Sequence, residues 1–392
     1  MSDSEESRSK GRAARRSRAE SSDWRERVEQ RNAEIRAAGR WRSIRSLEDG
    51  TPETRLSATG QPVVSFASND YLGLSQHPAL AAAAHEAIRR LGTGSSASRL
   101  VVGARPIHAE LERELAEWKG AEAALLFPTG FAANVGLLTA LGQLGGVLVC
   151  SDELNHASII DGARLSRAEV AVYRHGDLEH LATLLKGAAR ALVVTDAVFS
   201  MDGDLAPVGE IAALCARHGA LLVVDEAHAV LGPETPALPG LDVLVVGTLS
   251  KTLGSLGGFV AGPRPYVDLL VNSARPFIFT TATTPADAAA ALAGLRIVRS
   301  REGEALGARL RANGERLRPG HPSPIVPIVL GEEARAIAVS QALLARGLLV
   351  PAIRPPTVPA GRSRLRVALS SLHTPAQIDA LAQALAALGV AA

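Results

Sequence analysis

Between residues 121 and 261 the chain alternates short apolar runs with helical stretches, and no other feature limits the available folds so strongly. The runs at 123–127, 147–150, 170–173, 191–195, 221–225, 243–247 and 258–261 are short, aliphatic or β-branched, and bounded by turn residues, which marks them as strands. Stretches such as 131–141 and 209–217 carry helical spacing between them. Near-continuous apolar strands joined by helices are buried on both faces, so the pattern predicts an α/β domain built on a seven-stranded, mostly parallel sheet.

The rest of the chain is organised around that domain. With 392 residues and 47% hydrophobic content, the sequence can bury a sizeable core and divide into more than one domain. Residues 1–21 mix acids with arginines and contain no large aliphatic side chain, which reads as a disordered charged tail. Residues 22–60 read as an N-terminal helix and connector, with Ser22–Asp23 as its cap and Trp24, Val28 and Ile35 on one face. A large α/β domain spans 61–285 and a smaller C-terminal α+β domain 286–392. That last part carries strand-like runs at 325–330 and 364–369, and a closing helix capped by Thr374 with Pro375 at its first position. The stripe Ile107, Leu111, Leu115 and Trp118 marks another amphipathic helix, beside which His108 reads as structural.

Composition narrows the class. A formal charge of +2 makes no general case for a nucleic-acid or membrane partner. Cys150 and Cys215 lie in or beside apolar segments without metal-ligand or CxxC spacing, so they read as core residues of a reduced, cytoplasmic protein with no metal. There is no apolar span of membrane length and no secretory h-region.

Parallel sheets present their functional loops at the C-terminal strand ends. Lys251 lies there, in GTLSKTLG (247–254), directly after one apolar run. Asp225 ends the run before it, and His228 follows three residues on. A lysine for an imine and an acid against a ring nitrogen are what pyridoxal 5'-phosphate requires. The strand, glycine turn and helix start around Gly130 offer free amides and a helix dipole for its phosphate, with Thr248 and Ser250 adding hydroxyls. His156 and Ser200 also follow strands, and the Gly/Ser-rich segment 92–99 reads as a binding loop. Singly, each has a plainer reading: Lys251 as a solvated loop lysine, Asp225 as a turn cap, His156 as a structural histidine, Ser200 as a turn hydroxyl. The case rests on their recurrence at successive strand ends.

These segments also resemble a known family. FASNDYLGLS (66–75), FPTGFAANVG (127–136), SDELNHASII (151–160), VFSMDGD (198–204), VDEAH (224–228), GTLSKTLGSLGG (247–258) and AIRPPTVPAGRSRLRVALS (352–370) are similar to motifs of the α-oxoamine synthases, fold-type I pyridoxal-phosphate enzymes. The resemblance runs from about residue 61 to the C-terminus. It implies Lys251 as Schiff-base lysine, Asp225 on the pyridine nitrogen, His156 stacked on the ring, and Ser200 and His228 near the phenolic oxygen. Gly130, Phe131 and Thr248 are implied as further cofactor contacts. A homodimer with its sites at the subunit interface is also implied, in which Thr281 reaches the partner's phosphate. Arg354 would take an amino acid's carboxylate, with Asn69, Thr357 and Arg42 as other substrate contacts. Within the family the Arg-Pro-Pro run at 354–356 favours L-alanine and a pimeloyl thioester of coenzyme A or an acyl carrier protein. A glycine or serine acyltransferase of the same mechanism is the alternative, and a non-catalytic scaffold on this fold a remoter one.

Overall fold

Seven apolar runs pair into one sheet in a computed structural model that describes residues 24–391. In chain order the strands are β1 (Glu53–Arg55), β2 (Pro62–Ser65), β3 (Ala123–Phe127), β4 (Leu148–Asp152), β5 (Glu169–Tyr173), β6 (Ala191–Asp196), β7 (Leu221–Asp225), β8 (Val243–Thr248), β9 (Gly258–Gly262), β10 (Ile325–Gly331), β11 (Leu348–Leu349), β12 (Ala352–Ile353) and β13 (Ser363–Ala368). The large sheet has the order β3-β9-β8-β7-β6-β4-β5, and β9 alone runs against its neighbours. The mostly parallel α/β sheet expected from the sequence is therefore present.

Alternation along these strands sorts their side chains into two cores. Val149, Leu192, Val194, Val223, Leu244 and Val246 pack on one face with the helix Gly130–Gly142. Cys150, Val193, Leu222 and Val224 pack on the other, where Cys215 lies fully buried on the helix Val208–His218. Because β4, β6, β7 and β8 are parallel, Asp152, Asp196, Asp225 and Thr248 all arrive at the same edge.

Two smaller sheets, β1-β2-β11 and β10-β13-β12, gather on the C-terminal part of the chain. Their core unites Leu306, Leu310, Ile325, Leu365, Val367, Ile378 and Leu381 with Phe66, Tyr71, Leu72 and Leu74 from far upstream. The backbone secures that union, since Ala368 N donates to Phe66 O and Ser371 N to Tyr71 O, each at 2.8 Å. Segment 66–74 is thus built into the C-terminal core. The closing helix, Pro375–Ala387, is capped by Thr374 in a capping box with Gln377, and Ile378, Leu381 and Leu385 are buried.

The chain divides into two units, one ending at Ser46 and one running from Leu47. In the first, the helix Trp24–Ala37 buries no residue. Trp24 is 77% and Val28 53% exposed. The side chains between its few apolar positions are mostly arginine and glutamate, which stay solvated. The expected Ser22–Asp23 cap and the charged tail lie outside the described residues.

Candidate active site

The edge where the parallel strands end brings most of the sequence-predicted polar residues into one network. Lys251 follows β8, and its Nζ lies 3.0 Å from His228 Nε2. His228, three residues beyond the end of β7, is buried, and its Nδ1 is 2.5 Å from the hydroxyl of Tyr71. That hydroxyl also lies 3.3 Å from Asn69 Oδ1, which accepts a second bond from Arg366 Nη2 at 3.1 Å. Arg366 Nε donates to the carbonyl of Ser200 at 2.5 Å. Five segments distant in sequence thereby meet on one hydrogen-bonded path.

Asp225 forms the neighbouring wall. Its Oδ2 accepts from Asn134 Nδ2 at 2.6 Å and its Oδ1 from Ala227 N at 2.9 Å, which fixes the carboxylate at the strand end. Asn134 Nδ2 also donates to Ser158 Oγ, leaving its buried Oδ1 without a partner. Asp196 pairs in register with Asp225 and accepts from His156 N at 2.7 Å. The His156 imidazole caps its helix through Ser158, turns an exposed face outward and meets the Phe131 ring edge-on at 6.5 Å.

Burial drives the electrostatics here. It lowers the pKa of Lys251, against the opposing charges of Asp225 and Asp196, so the neutral amine is more accessible than on an ordinary lysine. Burial, then Lys251, Arg366 and His156, hold His228 well below the usual histidine value, so its ring is neutral. Burial also pushes the Tyr71 hydroxyl up to about 12, with Arg366 pulling it back. His156 is solvent-exposed by area, yet the surrounding walls desolvate its imidazole and lower its pKa, with Asp225 opposing.

Beside Lys251 the helix Gly130–Gly142 begins with Thr129 as cap, its Oγ1 accepting from Ala132 N at 3.0 Å. A Cβ on Gly258 would lie 2.4 Å from Gly130 N, so only glycine lets β9 pass this close to the helix start. A Cβ on Gly130 would reach 3.4 Å from Thr248 Cβ, and Thr248 Oγ1 is bonded to Ser250 Oγ at 2.7 Å. This donor set fits pyridoxal phosphate: a half-buried amine, a fixed carboxylate against a helix-borne amide with an orphaned oxygen, and a crowded glycine turn at a helix N-terminus.

Thr281 is exposed, as is Thr357, whose backbone N donates to Arg354 O at 3.0 Å; Arg354 itself is half-buried. Arg42 belongs to the first unit and is exposed. His108 is structural as expected, buried and bonded to Arg105 N and Thr283 O.

Sequence reasoning missed Tyr71, Asn134, Asp196 and Arg366 as individual site residues. Asp196 ends an apolar strand just as Asp225 does, so the rule that found one finds the other. Arg364 and Arg366, two apart in a run that is otherwise largely apolar, carried a second signal. Both are buried in β13 and hold the 200–202 loop, Arg364 through Met201 O and Asp202.

Comparison with known proteins bears on this arrangement. The sequence profile of aminotransferase class I and II matches residues 61–385. The chain belongs to that family. Within it, the 8-amino-7-oxononanoate synthase of Anaeromyxobacter dehalogenans is 52% identical over 365 residues, covering 88% of this chain and 91% of the relative. Among solved structures, a serine palmitoyltransferase from S. paucimobilis with bound PLP-myriocin aldimine superposes with a TM-score of 0.84 at 32% identity, over 92% of this chain and 97% of the other. An 8-amino-7-oxononanoate synthase from Francisella tularensis superposes at 0.70 with 27% identity, over 83% and 98%.

Proposed function

We propose that this chain is a pyridoxal-phosphate-dependent acyltransferase that condenses L-alanine with a pimeloyl thioester. The products are 8-amino-7-oxononanoate, carbon dioxide and a free thiol, a step of biotin biosynthesis. The observation that carries the reading is the half-buried Lys251 amine, bonded to His228 beside the fixed carboxylate of Asp225. The serine palmitoyltransferase shares 32% of its aligned residues with this chain, and the 52% identity to the Anaeromyxobacter dehalogenans 8-amino-7-oxononanoate synthase favours L-alanine, because specificity resides in side chains.

When bound, pyridoxal phosphate supplies an electron sink that stabilises negative charge at the amino acid's α-carbon. Lys251 would hold it through Nζ, Asp225 at its ring nitrogen, and His156 and Phe131 along its ring. Ser200 and His228 would serve its phenolic oxygen, with Gly130, Thr248 and the partner's Thr281 at its phosphate. The Lys251 amine would take the proton from the amino acid's α-carbon and return one, a role suited to an amine whose basicity burial has lowered. The Asn134 and Ala227 donors hold the Asp225 carboxyl in place. Arg354 would orient the substrate carboxylate through its guanidinium fork. Asn69, Thr357 and Arg42 are the remaining substrate contacts in this reading.

A homodimer in the cytoplasm, drawing its acyl group from coenzyme A or a carrier protein, completes the reading. Val101 and Val102 are 71% and 66% exposed and Phe279 is 70% exposed two residues from Thr281, apolar surface suited to a second copy.

Borohydride reduction of the enzyme with pyridoxal phosphate, followed by peptide mass analysis, tests the site. The expected adduct lies on Lys251 and is absent from Lys251→Ala; an adduct on another lysine in the wild type overturns the assignment. Product mass analysis with L-alanine, glycine or serine and a series of acyl thioesters tests the substrate, and preference for a different amino acid or acyl group overturns it.

A further inference from the structure

We propose that Asn134 is a positioning residue that fixes the Asp225 carboxylate in the orientation offered to the cofactor's ring nitrogen, and that Ser158 and His156 set which way its amide faces. The proposal deepens the reading of Asp225 as the acid at that nitrogen and rests on it.

Asn134 lies on the helix Gly130–Gly142 and is only 1% exposed. Its Nδ2 donates to Asp225 Oδ2 at 2.6 Å, while Ala227 N donates to Oδ1 at 2.9 Å. The terminal torsion of a carboxylate is soft, so an acid held at one oxygen swings and one held at both keeps its plane. Ala227 belongs to the same turn as Asp225 and moves with it. Asn134 is the anchor from another element, tying the end of β7 to the helix whose start crowds Gly258 and Thr248.

The amide serves only with its nitrogen toward the acid, and the hydrogens around it enforce that. The backbone N–H of Ser158 is a donor only, and His156 Nδ1 accepts it as the cap of the helix Ala157–Ser166. Nδ1 therefore carries no proton, and the ring bears its N–H on Nε2. Ser158 Oγ lies 2.8 Å from the same Nδ1, so the hydroxyl supplies the proton between them. Shared bonds of this kind are common at helix ends. With its proton spent, Oγ meets Asn134 at 2.9 Å as an acceptor, so the amide atom there is nitrogen, and that same nitrogen faces Asp225. Turning the amide over would set its oxygen 2.6 Å from a carboxylate oxygen, a contact relieved only by a proton on Asp225. It would also oblige Ser158 to donate to the amide and His156 Nδ1 to donate to Ser158, placing a ring N–H against the Ser158 N–H. Asn134 Oδ1 meanwhile stays buried without a partner, an arrangement that costs stability. The residue is placed for its two N–H groups.

Titration of the apoenzyme with pyridoxal phosphate, and with its analogue carrying C–H in place of the ring nitrogen, separates this role from a structural one. Both ligands keep the aldehyde and the phosphate, so the ratio of their dissociation constants reads the contact at the ring nitrogen. Wild type is expected to prefer pyridoxal phosphate, and Asn134→Leu to lose about tenfold or more of that preference, the size of one hydrogen bond to a charged group. Asn134→Ala, which adds no bulk, is the second variant and is expected to change the ratio in the same direction. Nitrogen NMR of wild-type apoenzyme labelled with 15N-histidine, with His156 assigned by its loss in His156→Gln, is expected to show the neutral His156 ring with its proton on Nε2. Equal weakening of both ligands marks Asn134 as structural and overturns the proposal, as does an unchanged ratio in both variants or a wild-type His156 proton on Nδ1. Asp225→Asn is expected to lose most of the preference. A wild type without preference, or a preference kept in full by Asp225→Asn, overturns the reading of Asp225 instead, so the two failures are distinguishable.

Discussion

Asp196 and Asp225 stand paired in register at the ends of the adjacent parallel strands β6 and β7, and both are buried. Two carboxylates this close do not both ionise cheaply. Asp225 has the better support, with N–H donors at 2.6 and 2.9 Å. Burial, then the Asp225 charge, raise the pKa of Asp196 well above the usual carboxylate range. Asp196 thus holds its proton more tightly than an ordinary carboxyl.

Asp196→Asn copies the protonated carboxyl, and its amide oxygen still accepts from His156 N. Because the folded-state pKa is raised, the Asp196 proton contributes stability fully below the unfolded value of about 3.9 and loses that contribution as pH rises through the folded value. The variant carries no such dependence. Its stability relative to wild type is expected to improve progressively from about pH 4 upward, as read by urea denaturation at several pH values. A difference between the two proteins that stays flat with pH would show that Asp196 is already ionised in the folded state.

His175 supplies the opposite sign. Its Nδ1 meets Asp152 Oδ1 at 3.0 Å, its Nε2 meets Asp204 Oδ2 at 2.6 Å, and its ring stands edge-on to Phe199 at 4.4 Å. The bonds to Asp152 and Asp204 raise its pKa to about 10, so it is an imidazolium that ties the end of β4 to the loop carrying Ser200. Stability from this raised pKa is complete below the unfolded histidine value of about 6.5 and lost as pH rises through the folded one. His175→Gln is expected to cost about 1–2 kcal/mol at pH 6, allowing for solvent screening. The gap to wild type should close in denaturation curves taken above the folded value of about 10. Equal gaps at both ends of that window would refute the charged bridge.

The sheet and the strand-end residues were legible in the sequence because both rest on local patterns. A β-branched run ending in aspartate or a glycine turn places its last residue at a predictable edge, which is how Asp225, Lys251 and the Gly130 turn were found. Tyr71 and Arg366 were not, because their place depends on segment 66–74 threading into the C-terminal core, a pairing of residues about 300 positions apart. No local spacing encodes that union.

Glu226 shows how the segment carrying Asp225 is held from behind. Successive residues at a strand end point to opposite faces. Asp225 turns toward Asn134, and Glu226 turns into a cleft of about 610 Å³ that Trp118, Lys119, Thr235 and Arg311 help to line. There its Oε2 accepts from Lys119 Nζ at 2.6 Å and its Oε1 from Thr235 Oγ1 at 2.5 Å. The side chains of Glu226 and Lys119 are only 7% and 16% exposed, so the pair is largely desolvated. Glu226→Gln strands the Lys119 ammonium and is expected to cost about 3 kcal/mol or more, whereas Lys119→Met combined with Glu226→Gln leaves no buried charge and recovers most of that loss. Guanidinium denaturation of the wild type, both single variants and the double variant measures the coupling. A Glu226→Gln protein as stable as wild type would mean that the pair contributes nothing, and that Asp225 and His228 are held by the strand and the turn at Ala227 alone.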